Sequence, residues 1–283
     1  MKSSKLISRL VVSGIELNDQ EELRRTFDFY GDVVDDSIKD PAKLIFQPNQ
    51  FKVSGDGVFY TVQGEGPTMG LPAVFLRLHV CNLKCIWCDA WYTWNPNTPE
   101  FWQESENWTI EKTKQAIEKC WTCENPNVPK RLVITGGEPL LQRDRIDLLI
   151  DAMPDWEIEI ETNGTIMPSK KMLKRVQFNC SPKLRNSQNP LPARFKPEVL
   201  QALNTVNTVF KFVIMNEEDL QEIEDDFILP LQLDIKKILV MPQGVTAQEV
   251  SHNARRLVEV VKKKGFRLLG RLQCEIWGAR RKV

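Results

Sequence analysis

Three cysteines, Cys81, Cys85 and Cys88, lie within eight residues of one another and have the spacing C-x3-C-x2-C. They follow an apolar run that predicts a β-strand, so a single loop could wrap all three thiolates around one metal cluster. A structural zinc ion or an ordinary electron-transfer cluster takes four protein ligands. Three thiolates on a four-iron cluster would leave one iron open to bind another molecule. The alternatives are a zinc site completed by a distant cysteine and three unrelated buried thiols.

Four further segments combine glycine or proline with polar side chains, and each follows an apolar run that predicts a strand. They are Thr135-Gly136-Gly137-Glu138-Pro139, Glu161-Thr162-Asn163-Gly164, Ser181-Pro182-Lys183 and Met241-Pro242-Gln243-Gly244. Ligand sites of βα barrels gather at the carboxyl ends of the strands. Paired glycines let a ligand approach the backbone, and Glu138 could accept hydrogen bonds from an ammonium group. We therefore predict that the four segments form one rim; the alternative is that each is only a turn.

The elements that must position these segments are strands and helices in alternation. The predicted strands are Val58–Val62, Ala73–Val80, Arg131–Thr135, Trp156–Glu161, Val176–Cys180, Thr208–Ile214, Lys237–Met241 and Phe266–Ile276. The predicted helices are Thr109–Trp121, Arg143–Ala152, Glu217–Phe227 after an Asn216 cap, and one that opens on the capping box Thr246–Glu249 and ends at Gly265. Residues 89–108 predict a loop without periodicity. Repeated βα units imply an α/β fold whose parallel sheet curls toward an open or closed barrel.

Residues 1–50 differ from the remainder of the chain. They hold nine acidic and seven basic residues and few periodic apolar positions, and they include the acidic stretch Asp28–Asp40. We predict an N-terminal extension over residues 1–50, with one helix near Asp19–Tyr30, and a catalytic domain over residues 51–283. The sequence does not indicate a role for the extension.

Composition and charge exclude several classes of function. The chain of 283 residues has 38 Lys and Arg against 38 Asp and Glu, which disfavours bulk nucleic-acid binding. There is no apolar stretch of the roughly 18 residues that would span a bilayer, and no secretory signal, so we expect a cytoplasmic protein with no membrane contact. Seven cysteines are a poor disulfide framework, and two histidines disfavour a His-built metal site. The other four cysteines are predicted to be structural: Cys120, Cys123, Cys180 and Cys274.

Together these motifs resemble the radical S-adenosylmethionine (radical SAM) superfamily, and more closely the 7-carboxy-7-deazaguanine synthase family of the queuosine pathway. The resemblance covers about residues 51–283. It is carried by the segments Phe59–Gly66, Val74–Leu78, Cys81–Asp89, Thr135–Gln142, Glu161–Thr165, Ser181–Lys183 and Met241–Gly244. The resemblance implies a partial (β/α) barrel of the radical SAM type.

The resemblance also implies a reaction, the ring contraction of 6-carboxy-5,6,7,8-tetrahydropterin to 7-carboxy-7-deazaguanine with loss of ammonia. Cys81, Cys85 and Cys88 would hold a 4Fe-4S cluster, whose open iron binds S-adenosylmethionine. The implied cofactor-binding residues are Trp87, Cys88, Asp89, Gly137, Glu138, Ser181, Pro182, Lys183, Met241, Pro242, Gln243 and Gly244. The implied substrate-binding residues are Val62, Gln63, Gly64, Arg77 and Thr135. A one-electron donor such as a flavodoxin, and a homodimer, are further family expectations.

The sequence departs from the family pattern at three places. The family usually has Thr or Ser after Cys-Asp, and its hydroxyl ligates a Mg²⁺ that also holds substrate; here Cys88-Asp89 is followed by Ala90. Asp89 or Thr93 could substitute as the metal ligand, and we expect weakened Mg²⁺ dependence. Leu272-Gln273 stands for the usual Leu-His, and His79-Val80 for the usual Ala-Gly. The alternative functions are an inactive or altered homologue with a binding or regulatory role and a glycyl-radical-enzyme activase.

Overall fold

A computed structural model describes residues 38–281 and residue 283. The predicted helix near Asp19–Tyr30, and most of the predicted extension, lie outside these described residues. The short part of the extension that is described contains a 3-10 helix over Pro41–Leu44, which Asp40 caps by accepting a hydrogen bond from the amide of Ala42. The main sheet begins at Gln50.

Within the described residues, nine strands form one sheet in the order β3-β1-β2-β4-β5-β6-β7-β8-β9. The strands are β1 (Gln50–Val62), β2 (Pro72–Leu78), β3 (Glu106–Thr109), β4 (Arg131–Gly136), β5 (Glu157–Thr162), β6 (Gln177–Cys180), β7 (Thr208–Ile214), β8 (Ile238–Pro242) and β9 (Arg267–Leu268). Strand β2 and strands β4 to β9 run parallel, whereas β1 pairs antiparallel with both β2 and β3. The predicted α/β partial barrel is thereby confirmed.

Helices connect the parallel strands. They are α1 (Pro99–Gln103), α2 (Ile110–Cys120), α3 (Arg143–Ala152), α4 (Lys170–Arg175), α5 (Leu191–Arg194), α6 (Pro197–Asn204), α7 (Glu217–Glu222), α8 (Leu229–Leu231), α9 (Ala247–Lys264) and α10 (Leu272–Trp277). The predicted capping box of α9 is present, and Gly265 ends this helix in the left-handed conformation. Among the described residues, no helix is long and apolar enough to cross a membrane.

Side-chain alternation along the strands gives the sheet two distinct faces. On β2, Val74, Leu76 and Leu78 belong to the main hydrophobic core, together with residues of the covering helices. Phe75 and Arg77 have the opposite parity and line a cavity. One face of the sheet is therefore a packed core, and the other is open to a ligand.

Two predictions about the elements were wrong, and a third element is helical as predicted but changes its helix type. The predicted final strand Phe266–Ile276 pairs only over Arg267–Leu268; the chain then leaves the sheet and forms α10. Residues 89–108 are not a featureless loop, because they contain α1 and the start of β3. The predicted helix Glu217–Phe227 is α-helical only to Glu222 and continues as one π-helical turn over Ile223–Ile228.

The departure at the C-terminal segment has a local cause. The amide of Leu269 still donates to Val240 at 2.9 Å, but the amide of Leu272 donates to Gly64 at 3.1 Å. Between them, Arg271 is drawn into ion pairs with side chains of the cavity. These contacts turn the backbone away from β8, so the strand stops after two residues.

Candidate active site

The open face of the sheet borders a cavity of about 860 Å³ at the carboxyl ends of the parallel strands. Residues from all four predicted strand-end segments line this cavity, as do all three cysteines of the C-x3-C-x2-C loop. The strand-end pattern therefore does describe one rim. An open cavity of this volume is typical of small-molecule sites.

The three-cysteine loop lies between β2 and the short 3-10 helix Trp91–Thr93. Cys85 is buried and accepts a hydrogen bond from the Asn189 side chain at 3.2 Å, whereas Cys81 and Cys88 are half-buried. Burial raises the pKa of all three thiols, and for Cys88 burial and the Asp89 charge raise the pKa to about 12. These are protonated thiols at neutral pH unless a metal binds and displaces their protons.

The thiols fit a polynuclear cluster better than a single ion. In the described part of the chain, no group of three His, Cys, Asp or Glu side chains is arranged to hold one metal ion. The zinc alternative requires that arrangement, because its ligands converge on one tetrahedral centre. A four-iron cluster is larger and holds its cysteines farther apart. The donor set of three thiolates facing one cavity therefore suits a cluster with an open iron.

Two glycines bring the end of β4 against the strand that enters the cysteine loop. The amide of Gly137 donates to Leu78 at 3.0 Å, and the amide of Glu138 donates to Val80 at 2.9 Å. A β-carbon on Gly137 would lie 2.1 Å from the Val80 carbonyl oxygen. Only glycine permits this approach, so the Gly-Gly pair fixes the cysteine loop relative to the sheet.

Val80 adopts a backbone conformation that favours glycine, with φ of 76°. A β-branched residue in the left-handed region is strained by about 1–2 kcal/mol. The backbone is held there by two hydrogen bonds, from the Val80 amide to Thr93 and from the Glu138 amide to Val80, both 2.9 Å long. This geometry explains why a glycine is common at this position of the family pattern.

Glu138 is fully buried, and its carboxylate is engaged by the protein itself. It accepts hydrogen bonds from the amides of Leu140 and Asn163 and from the Thr162 hydroxyl, at 3.0, 2.7 and 2.8 Å. Burial raises its pKa, although these three donors and Lys183 oppose the rise. Ten of the twelve implied cofactor-binding residues line the cavity. The two that do not line it are Glu138 and Pro182.

The segments that the resemblance assigns to the cofactor are held in place by contacts among themselves. The Trp87 indole N–H donates to the side-chain oxygen of Asn186 at 3.2 Å. The Lys183 ammonium lies 5.5 Å from the centre of the Trp87 ring and donates to the Ser181 hydroxyl at 2.8 Å. The loop after β6 is thus joined to the cysteine loop, and the Lys183 charge lowers the pKa of the Cys85 thiol against the effect of burial.

All five implied substrate-binding residues line the cavity. The Arg77 guanidinium lies 5.7 Å from the centre of the Phe59 ring, and Phe59 stacks on Phe75 at 5.3 Å. The Thr135 hydroxyl donates to Glu161 at 2.6 Å. Gln63 is almost fully buried, and its side-chain oxygen accepts a hydrogen bond from the Glu65 amide at 3.2 Å. The implied substrate-binding side therefore combines an aromatic wall with the Arg77 guanidinium and several fixed polar groups.

Sequence reasoning missed a charged network on the cavity wall. Glu65 forms ion pairs with Lys211 and Arg271 and accepts a hydrogen bond from the side-chain amide of Gln273 at 2.7 Å. Arg271 also pairs with Asp89. Burial would raise the pKa of Glu65, but the Lys211 and Arg271 charges hold it well below its usual range. One signal was available, because Lys211 is the only charged residue in the apolar run of β7.

The oxygen atoms around Ala90 do not fit Mg²⁺. Ala90 lines the cavity without a side-chain oxygen, and its carbonyl accepts hydrogen bonds from both the amide and the hydroxyl of Thr93. Thr93 is fully buried, and Asp89 is paired with Arg271. Mg²⁺ requires near-octahedral oxygen coordination. The Thr93 hydroxyl is committed to the Ala90 carbonyl, and the Asp89 carboxylate already holds the Arg271 guanidinium on one of its oxygens.

The fold and the three-cysteine cavity define a radical SAM protein, and the Radical SAM superfamily model matches residues 76–178. The chain is 32% identical to the 7-carboxy-7-deazaguanine synthase of Pyrobaculum aerophilum, over 78% of this chain and 93% of that protein. It is 29% identical to the enzyme of the same name from Rhodopirellula baltica, over 79% and 86% of the two chains. The chain therefore belongs to the 7-carboxy-7-deazaguanine synthase family. The crystal structure of QueE from Escherichia coli shares its fold, with a TM-score of 0.58 and 24% identity over 79% of this chain and 94% of that one.

Proposed function

We propose that this chain contracts the ring of 6-carboxy-5,6,7,8-tetrahydropterin to give 7-carboxy-7-deazaguanine and ammonia. One observation carries the proposal. A single cavity is lined by the three cysteines, by ten implied cofactor-binding residues and by all five implied substrate-binding residues. These groups come from chain segments between Val62 and Gly244, so their convergence is a property of the fold.

The cysteine loop would hold a 4Fe-4S cluster through Cys81, Cys85 and Cys88. When bound, the cluster and S-adenosylmethionine supply the radical that abstracts a substrate hydrogen atom. The protein's part is to position the reactants and to exclude water. Gly136 and Gly137 allow the backbone after β4 to lie against the cysteine loop, and Lys183 sets a positive charge near the Cys85 thiol.

The substrate is a bicyclic ring system with one planar pyrimidine ring, one reduced ring and one carboxylate, and the cavity offers matching groups. The stacked rings of Phe59 and Phe75 form an apolar wall beside Arg77. A guanidinium can hold a carboxylate through two parallel hydrogen bonds. We assign the substrate carboxylate to Arg77 and the polar ring edge to the side of the cavity that holds Thr135 and Glu161, which are 2.6 Å apart.

The cofactor would occupy the side of the cavity formed by the loops after β6 and β8. Trp87, Ser181 and Lys183 form one connected patch there, and Met241–Gly244 forms the neighbouring wall. We further propose a one-electron donor such as a flavodoxin, a homodimer, and a cytoplasmic location. The product would enter 7-deazaguanine synthesis.

Anaerobic reconstitution tests the function. Protein supplied with iron, sulfide, reductant, S-adenosylmethionine and the tetrahydropterin should form the deazaguanine acid. Cys85→Ala should lose the cluster absorbance and all cofactor cleavage. The matched control is Cys123→Ala, because Cys123 is half-buried and lies among the described residues that do not line the cavity. It should keep the cluster and the activity.

The substrate assignment has its own test. Arg77→Gln should raise KM for the pterin by about 10–1,000-fold if one bidentate charge-assisted pair is lost. The variant should still cleave S-adenosylmethionine, because Arg77 is not among the cofactor-binding residues. Cofactor cleavage without any deazaguanine product in the unmodified protein would contradict the proposed function. An intact cluster with no cleavage would favour a binding or regulatory role.

A further inference from the structure

Arg271 connects three segments that line the cavity. Its Nε donates to Glu65 at 2.9 Å, one terminal nitrogen donates to the carbonyl oxygen of Gly244, and the other pairs with Asp89. Glu65 lies in the loop after β1, Gly244 follows β8, and Asp89 follows the last cysteine of the cluster loop. The Arg271 side chain is largely buried but lines the cavity. One fixed cation therefore holds the substrate side and the cofactor side of the site together.

This cation lies beside the position where the family pattern places a metal ligand. Asp89, which Arg271 pairs with, directly precedes Ala90. Ala90 has no hydroxyl, and the buried Thr93 hydroxyl donates to the Ala90 carbonyl oxygen at 2.7 Å. A divalent cation drawn to Asp89 would meet the Arg271 guanidinium on the same carboxylate. Two cations on one carboxylate repel each other, so the guanidinium disfavours metal binding there.

The Arg271 guanidinium also has N–H donors left with which to bind a substrate. It carries five N–H donors, of which three are engaged with Glu65, Gly244 and Asp89. Lys211 shares the neutralisation of Glu65, so Arg271 is not the sole counter-charge of that carboxylate. A negatively charged oxygen that enters the cavity could therefore be held by the same group that fixes Asp89.

We propose that Arg271 replaces the divalent cation in this chain, by supplying a fixed positive charge beside the cluster loop where the family pattern relies on Mg²⁺. Arg271 is then a positioning residue for the substrate, and ring contraction does not depend on Mg²⁺. The inference rests on the proposed function for its activity readout. A metal-binding readout makes it testable separately.

The first experiment measures metal binding and activity of the unmodified protein. Mn²⁺ is the probe, because its paramagnetic resonance signal reports free ion, and the sample contains cluster, S-adenosylmethionine and the tetrahydropterin. We expect no stoichiometric Mn²⁺ binding. We also expect product formation to change less than about threefold between chelator and excess Mg²⁺, a factor smaller than the loss of one hydrogen bond would give.

The second experiment exchanges the two cations. Arg271→Gln alone should lower kcat/KM for the pterin by about tenfold or more, with cluster absorbance retained. Arg271→Gln combined with Ala90→Thr should bind one Mn²⁺ and form product only when Mg²⁺ is present. The control is Ala90→Thr alone. It adds the oxygen but keeps the guanidinium, so its product formation should still not respond to Mg²⁺.

The outcomes separate the two proposals. Product that forms only with Mg²⁺ in the unmodified protein, or one Mn²⁺ bound per chain, overturns the role of Arg271 and leaves the proposed function intact. Cofactor cleavage without product under every metal condition overturns the function, and the Mn²⁺ measurement then still decides whether this cavity takes a divalent cation. If Arg271→Gln fails to fold, as judged by its thermal transition, the measurements on the unmodified protein decide the matter alone.

Discussion

Replacing Gly137 by alanine should separate the end of β4 from the cysteine loop. The added β-carbon would lie 2.1 Å from the oxygen and 2.4 Å from the carbon of the Val80 carbonyl, and 2.9 Å from the Cys81 nitrogen. Ordinary contact needs about 3.4 Å. Every clashing atom belongs to the backbone, so no side-chain rotation relieves the overlap. The backbone segments at Gly137 and at Val80 must move apart by about 1 Å or more.

The magnitude follows from two contributions. Overpacking of this kind costs about 1–3 kcal/mol, and the separation also weakens the hydrogen bond from the Glu138 amide to Val80, worth about 1 kcal/mol. The expected loss in the free energy of unfolding is therefore about 2–4 kcal/mol. In a chain of this size that lowers Tm by roughly 5–10 °C. Because Cys81 adjoins the displaced carbonyl, iron and sulfide content should fall as well.

Calorimetry and iron analysis of the reconstituted protein test this prediction. Gly270→Ala is the matched control, because its β-carbon would meet only the end of the Glu275 side chain, at 3.1 Å. That variant should stay within about 0.5 kcal/mol of the unmodified protein. If Gly137→Ala matched the control in both Tm and iron content, the close backbone approach would not be what positions the cysteine loop.

Three further predictions concern stability. Glu138→Gln should cost about 1–3 kcal/mol in chemical unfolding, because its amide group would face protein donors; an unchanged midpoint would contradict this. Val80→Gly should change stability by less than about 1 kcal/mol, since relieved strain offsets lost contacts, whereas the buried Val74→Gly should cost about 3 kcal/mol. The Glu65–Lys211 pair, with the carboxyl pKa lowered and the ammonium pKa raised, should stabilise the fold between about pH 5 and 10. Its contribution is lost as the pH falls through the folded Glu65 pKa or rises through that of Lys211, so Tm of Glu65→Gln should approach the unmodified value toward pH 3.

Local sequence patterns predicted most of the sheet and several helices correctly. The parallel strands are short apolar runs bounded by glycine, proline or polar residues, and these features act within a few residues. The segment over residues 89–108 could not be predicted in this way. Its helix α1 has five residues, and Phe101 and Trp102 are buried against Ile38 and Leu44, far away in the chain. Packing at that distance leaves no periodic signal.

The candidate site, too, was predictable only where its residues lie close together in the sequence. The three cysteines and the strand-end segments are contiguous motifs, so the sequence could place them on one rim. The charged network could not be placed, because Lys211 is 146 residues and Arg271 is 206 residues from Glu65. The predicted strand over Cys274 is α10 instead; its thiol is buried and also borders the cavity, and Cys180 lies in the core. The wrong strand over Phe266–Ile276 and the wrong element for Cys274 have one cause, which is that β9 already ends at Leu268.

The most direct test of the proposed function is the ratio of deazaguanine acid formed to S-adenosylmethionine irreversibly cleaved, in one anaerobic reaction. The resemblance to the family implies that the cofactor is regenerated after each turnover, so we expect more than one product molecule for each cofactor cleaved. Cleavage of S-adenosylmethionine with no deazaguanine acid, from protein that carries a full cluster, would contradict the account.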